Sequence, residues 1–182
     1  MKNSKSHTSN SIRNIVISLL LLLSINSFSQ EMEKVLDLKG MWKFSIGDNS
    51  LWLDPAFDDS QWEKIYVPKM WEEQGFNGYD GYAWYRKQFS IPFASNKANY
   101  YLQLGYIDDV DKVYLNGKLI GQTGSFPPNF STAFNANRVY SIPSSMINKN
   151  GSNLLAVKVY DAMGEGGIIH GDIAIMVVYT PV

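Results

Sequence analysis

The chain has 182 residues, no cysteine and a formal net charge of −1. A near-neutral balance gives no electrostatic footprint for nucleic acid, and the absence of cysteine rules out a disulfide framework and a thiolate metal centre. Burial must therefore hold the fold together, and an aromatic content of 14% suits that demand because large rings bury the most area per residue.

Lys2, Lys5 and Arg13 precede the apolar run Ile15 to Leu23, and Ser27-Phe28-Ser29 offers small residues where a signal peptidase cuts. Residues 1–29 therefore read as a secretory signal, leaving 30–182 as a single domain of a secreted or periplasmic protein. The competing reading is an uncleaved membrane anchor, but the run falls short of the roughly 20 apolar residues a spanning helix needs, and no transmembrane span is expected once the signal is removed. Three basic residues and no acidic one leave with the signal, which moves the net charge to −4.

Gly40 to Gly47 alternates strictly, with Trp42, Phe44 and Ile46 on one face, and reads as a half-buried strand. A loop carrying Pro55 and Phe57-Asp58-Asp59-Ser60 follows, then a strand from Trp62 to Val67 that stops at Pro68. Trp42, Trp62 and Tyr85 lie on alternating strands and are expected in the core. Residues 69–82 form a long loop rich in aromatics and glycine, the kind of connection that compact domains keep for function. The strand Trp84 to Ile91 puts Trp84 and Arg86 on one face as a candidate cation–π pair.

Tyr100, Leu102 and Leu104 mark the next strand. Asp108 to Gly121 then reads as a hairpin turned at Asn116-Gly117, the pair that best supplies the positive φ angles of a type I′ turn. A second long loop, 122–137, leads to a strand over Arg138 to Ile142. Pro143 to Asn150 is a turn, Leu155, Val157 and Val159 alternate in a further strand, and Gly164 to Gly167 is a glycine-rich loop before the last strand, Ile173 to Tyr179. About eight or nine short strands without an amphipathic helix predict an all-β antiparallel sandwich or jelly roll.

The segments Gly81-Tyr82-Ala83-Trp84-Tyr85-Arg86-Lys87-Gln88-Phe89, Val113-Tyr114-Leu115-Asn116-Gly117-Lys118-Leu119-Ile120-Gly121 and Gly151-Ser152-Asn153-Leu154-Leu155-Ala156-Val157 together resemble the N-terminal sugar-binding jelly roll of glycoside hydrolase family 2. This is the β-galactosidase and β-glucuronidase group, with a galactose-binding-domain-like fold. Phe57 to Trp62 and Ile107 to Asp111 also resemble the jelly roll of secreted sialate O-acetylesterases. In those enzymes the catalytic groups lie in a separate barrel or esterase domain. With the sequence ending at Val182, the resemblance implies fold and sugar contact rather than hydrolysis, and it makes a separate catalytic subunit a candidate partner.

No catalytic residue stands out. Gly47-Asp48-Asn49-Ser50 looks like an esterase serine block, but His170 is the only histidine beyond the signal and no base is placed for it. Acidic pairs drawn from Glu72, Asp80, Asp161 and Glu165 have nothing to single them out as a glycosidase couple.

Sugar recognition wants exposed aromatic faces and planar polar groups. The long loops and the glycine-rich one provide Trp71, Tyr79, Tyr82 and Phe126 as candidate stacking rings, with Asp80, Arg138 and His170 as candidate hydrogen-bonding groups, for an oligo- or polysaccharide ligand. The same rings would serve equally well to cover the open ends of a sandwich, and both readings stand. Asp108, Asp109 and Asp111 are candidate ligands for a hard cation; Tyr114 occupies the glycine position of an EF-hand loop, so solvated turn residues are the competing reading. The resemblance adds structural calcium as a candidate ion, since domains of this fold often carry one, but it does not locate the site. No cofactor is required by any motif.

Overall fold

The computed structural model describes residues 32–91 and 98–179. The secretory signal expected over residues 1–29 lies outside them. Ten strands follow in chain order: β1 (Glu33–Asp37), β2 (Gly40–Ile46), β3 (Glu63–Val67), β4 (Gly81–Phe89), β5 (Ala98–Asp108), β6 (Val110–Leu115), β7 (Lys118–Thr123), β8 (Asn137–Ile142), β9 (Asn153–Asp161) and β10 (Gly167–Tyr179). Among the described residues only three short 3-10 turns interrupt them, and no helix is long and apolar enough to cross a membrane.

The strands form two antiparallel sheets, one ordered β1-β10-β5-β8 and the other β3-β2-β4-β9-β6-β7. Alternation explains the layer between them. Trp42, Phe44, Tyr85, Val113, Val157 and Val159 point inward from the six-stranded sheet and meet Leu102, Leu104, Tyr140, Ile173 and Ile175 from the four-stranded one, all buried. The hairpin turns where the sequence predicts it, with Asn116 at φ 50° and Gly117 at φ 78°.

Two features were not expected. β1 is a short edge strand whose Val35 and Leu36 are only half-buried. β10 begins at Gly167, six residues before Ile173, and its register against β5 shifts on both sides of His170.

The outer face of the six-stranded sheet is also covered, by the loop between β2 and β3. Trp84 lies edge-on to Trp52, with ring centroids 6.3 Å apart. Arg86 is 2% exposed. Its Nε donates to Asp59 at 2.7 Å, Nη1 donates to the carbonyls of Trp52 and Asp54, and Nη2 donates to that of Phe57. The cation–π partners of Arg86 are Phe57 and Trp62, at 5.7 and 5.8 Å, rather than Trp84. Trp62 accordingly belongs to this outer cluster and is half-buried, whereas Trp42 and Tyr85 do lie in the core. A cavity of about 300 Å³ beside this cluster is lined by Met41, Lys43, Asp59, Lys64, Arg86 and Lys87 among others, none of them a ligand-binding candidate from the sequence.

Candidate functional site

The three loops singled out by the sequence meet at one end of the sandwich because the strands that carry them are neighbours there. Gly81 at the start of β4 pairs with Asp161 at the end of β9, and Tyr160 pairs with both Tyr82 and Val110. Trp71 N donates to Gly166 O at 3.2 Å, joining loop 69–82 to the β9–β10 loop. Thr132 Oγ1 donates to Asp109 Oδ1 and Ala162 N donates to Asp109 Oδ2 at 2.9 Å, so Asp109 joins loop 122–137 to the same place.

Trp71 does not present a face to ligand. It is 0% exposed, Nε1 donates to Tyr79 O at 3.2 Å, and the ring lies 5.8 Å from Phe44 and from Tyr79. The glycine run explains how it fits: a Cβ on Gly166 would stand 2.2 Å from the Trp71 ring. Gly166 therefore serves close packing. Tyr79 is half-buried and its hydroxyl donates to Tyr82 O at 2.6 Å.

Arg138 is likewise withdrawn from ligand. It is fully buried and donates through Nε to Asp111 at 2.9 Å, through Nη1 to the carbonyls of Ala133 and Ala136, and through Nη2 to Asp109 O at 3.0 Å. Asp111 accepts from Tyr140 through its other oxygen. Asp111 is therefore no cation ligand: its position in the alternation with Val113 and Leu115 turns it inward to Arg138. Burial pushes the Asp111 carboxyl up, and the bonds from Tyr140 and Arg138 oppose it. His170 is exposed and rests on Tyr106, with ring centroids 4.4 Å apart. None of its described contacts joins it to the other candidates.

Tyr82 and Phe126 do come together. Their rings are parallel to within 5° at a centroid distance of 6.0 Å, and the Lys158 ammonium lies 4.5 Å from the first and 5.2 Å from the second. Lys158 is held there by Asp48 at 2.7 Å. Tyr160 packs on Tyr82 at 4.8 Å and Phe130 on Tyr160 at 5.6 Å, extending the aromatic strip. Asp80, two residues before Tyr82, is exposed and close enough to Asp161 to add repulsion to it.

Beside the strip lies a group of acids. Asp108, Asp109 and Asp161 each contribute an oxygen to a cluster whose members lie within 4.8 Å of one another. Burial raises Asp108 to about 7, reinforced by the neighbouring Asp109 and Asp161. Burial also raises Asp161 to about 6, with Asp109, Asp80 and Glu72 adding repulsion. Glu72 is itself fixed, both its oxygens accepting from Gly166 N at 3.1 Å.

Lys158, Tyr160 and Thr132 were not singled out from sequence, and Asp161 only as one acid among several. A signal existed for Asp161: it continues the inward series Leu155, Val157, Val159, which places a carboxylate on the buried face.

The chain resembles known proteins in sequence and in fold. A curated protein of Formosa agariphila, provisionally named a β-glucuronidase, is 28% identical over 120 residues, which is 59% of this chain and 12% of that protein. The crystal structure of Bacteroides uniformis β-glucuronidase superposes with a TM-score of 0.63 at 25% identity, covering 81% of this chain and 18% of that one. A β-glucuronidase from glycoside hydrolase family 2 shares the fold, with a TM-score of 0.66 at 19% identity over 82% of this chain and 18% of its own. The chain thus spans under a fifth of each of these relatives. Residues 47–166, more than half the chain, match the model of the β-galactosidase second all-β domain, and the chain belongs to that family of domains.

Proposed function

We propose that the chain is a secreted, non-catalytic carbohydrate-binding module, comparable to the N-terminal sugar-binding jelly roll of family 2 glycoside hydrolases, with its site at the end where loops 69–82 and 122–137 meet the β9–β10 connection. The observation that carries this reading is the parallel pair Tyr82 and Phe126, half-buried and supported from Lys158 and Tyr160. Two fixed, partly open rings offer stacking surface for the C–H face of a pyranose at little entropic cost. Exposed Asp80 accepts hydroxyl hydrogens beside them. The likeness to sialate O-acetylesterase jelly rolls rests on sequence motifs alone.

A second reading is favoured by a specific observation. Met163, Phe134 and Phe130 are 76%, 52% and 39% exposed at the same end. In relatives of which this chain spans under a fifth, the rest of the enzyme is available to cover such a surface. On that reading the domain docks on a separate glycoside hydrolase or esterase.

Calorimetric titration of the purified protein with neutral and uronic-acid oligosaccharides separates the two. Saturable heat with one sugar class supports the module, and Phe126→Ala should abolish it with little change in the melting temperature. A folded protein that gives no heat across the panel contradicts it and leaves docking as the reading to test by co-purification with a catalytic subunit.

A further inference from the structure

The acidic cluster calls for a partner that the described residues do not supply. Asp108 ends β5, Asp109 is the single residue before β6, and Asp161 ends β9. Asp161 is fully buried, its Oδ1 accepts from Met163 N at 3.1 Å, and its Oδ2 has no hydrogen-bond partner among the described residues. A buried carboxylate oxygen left without a donor is among the costlier defects a core can hold. Two more carboxylates within 4.8 Å add repulsion to that cost.

Nothing nearby relieves it. The Arg138 guanidinium is engaged by Asp111 and by the carbonyls of Ala133, Ala136 and Asp109. Asp109 is satisfied by Thr132 and Ala162, yet each of its oxygens keeps a second lone pair. A proton shared between Asp108 and Asp109 would remove one charge and still leave Asp161 Oδ2 unpaired.

We propose that Asp108, Asp109 and Asp161 bind a hard divalent cation of the calcium type. An all-carboxylate donor set with no nitrogen or sulfur selects hard ions. The donor oxygens all lie within 4.8 Å of one another, close enough for one ion to touch all three, and the irregular geometry of strand ends suits calcium, which tolerates it, better than magnesium, which demands a near-ideal octahedron. Half-exposed Asp108 marks the side open to water, which completes the coordination. The ion ties the end of β9 to the β5–β6 junction and, through Asp109 and Thr132, fixes the loop that carries Phe126. This assignment does not rest on the carbohydrate reading.

The test uses protein stripped with chelator, titrated with calcium chloride and with magnesium chloride by calorimetry and thermal melting, and with terbium by tryptophan-sensitised luminescence. The expected result is one saturable calcium site, a weaker magnesium response, and a melting temperature raised by roughly 5–10 °C at calcium about 100-fold above Kd. Asp161→Asn keeps the side-chain shape and should weaken calcium by about 30-fold or more. Should that variant fail to fold, Asp108→Asn at the half-exposed position carries the same expectation. No saturable response up to about 10 mM calcium, beyond the range of weak extracellular sites, overturns the assignment. Unchanged affinity in the folded variant overturns it equally. Sugar heat is read in separate titrations, so the two readings fail independently.

Discussion

Asp161 and Asp108 are held in surroundings that favour the protonated carboxyl, and the consequence is a stability that depends on pH in an unusual direction. Their folded values, about 6 and about 7, lie above the ordinary aspartate range. The groups facing them are Asp109, Asp80 and Glu72, with Arg138 the opposing charge. Without a cation, the folded protein holds protons that the unfolded chain releases near pH 4. That contribution is complete below about pH 4 and is lost as pH rises through 6 and 7. Metal-free protein should therefore melt at a higher temperature at pH 5 than at pH 8, with the slope reduced in Asp161→Asn; equal melting temperatures would contradict the assigned shifts. Arg138 makes the opposite kind of contribution. Its ion pair with Asp111 is 0% exposed on both sides, and removing one partner strands the other. Arg138→Met should cost about 3–5 kcal/mol, measured by urea unfolding, where a sugar-contacting arginine would leave stability nearly unchanged.

Among the elements, those with a strict period of two were legible and those shaped by a close approach were not. β2, β5 and β9 follow directly from alternation, and Asn116-Gly117 fixes the β6–β7 turn. β1 offers only Val35 and Leu36 within a charged pentapeptide, and an edge strand needs little more. The glycine run 164–167 reads as loop in sequence because glycine usually marks one. In the fold Gly166 exists to admit the Trp71 ring, and β10 starts immediately after it. Gly166→Ala should then cost about 1–3 kcal/mol in urea unfolding, since its Cβ would overlap the indole. A neutral substitution would mean that the ring has room to move.

For the molecule as a whole, the sandwich was legible but the division of the end-loop rings between core and surface was not. A sandwich must close its open ends with large side chains, and it draws them from the same loops that carry binding surface. Trp71 takes the closing role with 0% exposure, while Tyr82 and Phe126 stay half-buried as a pair. Position in a loop cannot separate the two fates, because that depends on whether a glycine opposite leaves space for the ring. The expected difference is large: Trp71→Ala should lose about 3–5 kcal/mol of stability, and Phe126→Ala should lose little. Similar losses in both would place Phe126 in the core as well.

The most direct measurement of the binding surface is amide chemical-shift mapping of the labelled protein against the oligosaccharide panel. Perturbations are expected to be confined to residues 69–82, 122–137 and the β9–β10 connection, centred on Tyr82 and Phe126 and absent in Phe126→Ala. Shifts concentrated instead around Lys43, Lys64 and Arg86, or no shifts with any sugar, would contradict it.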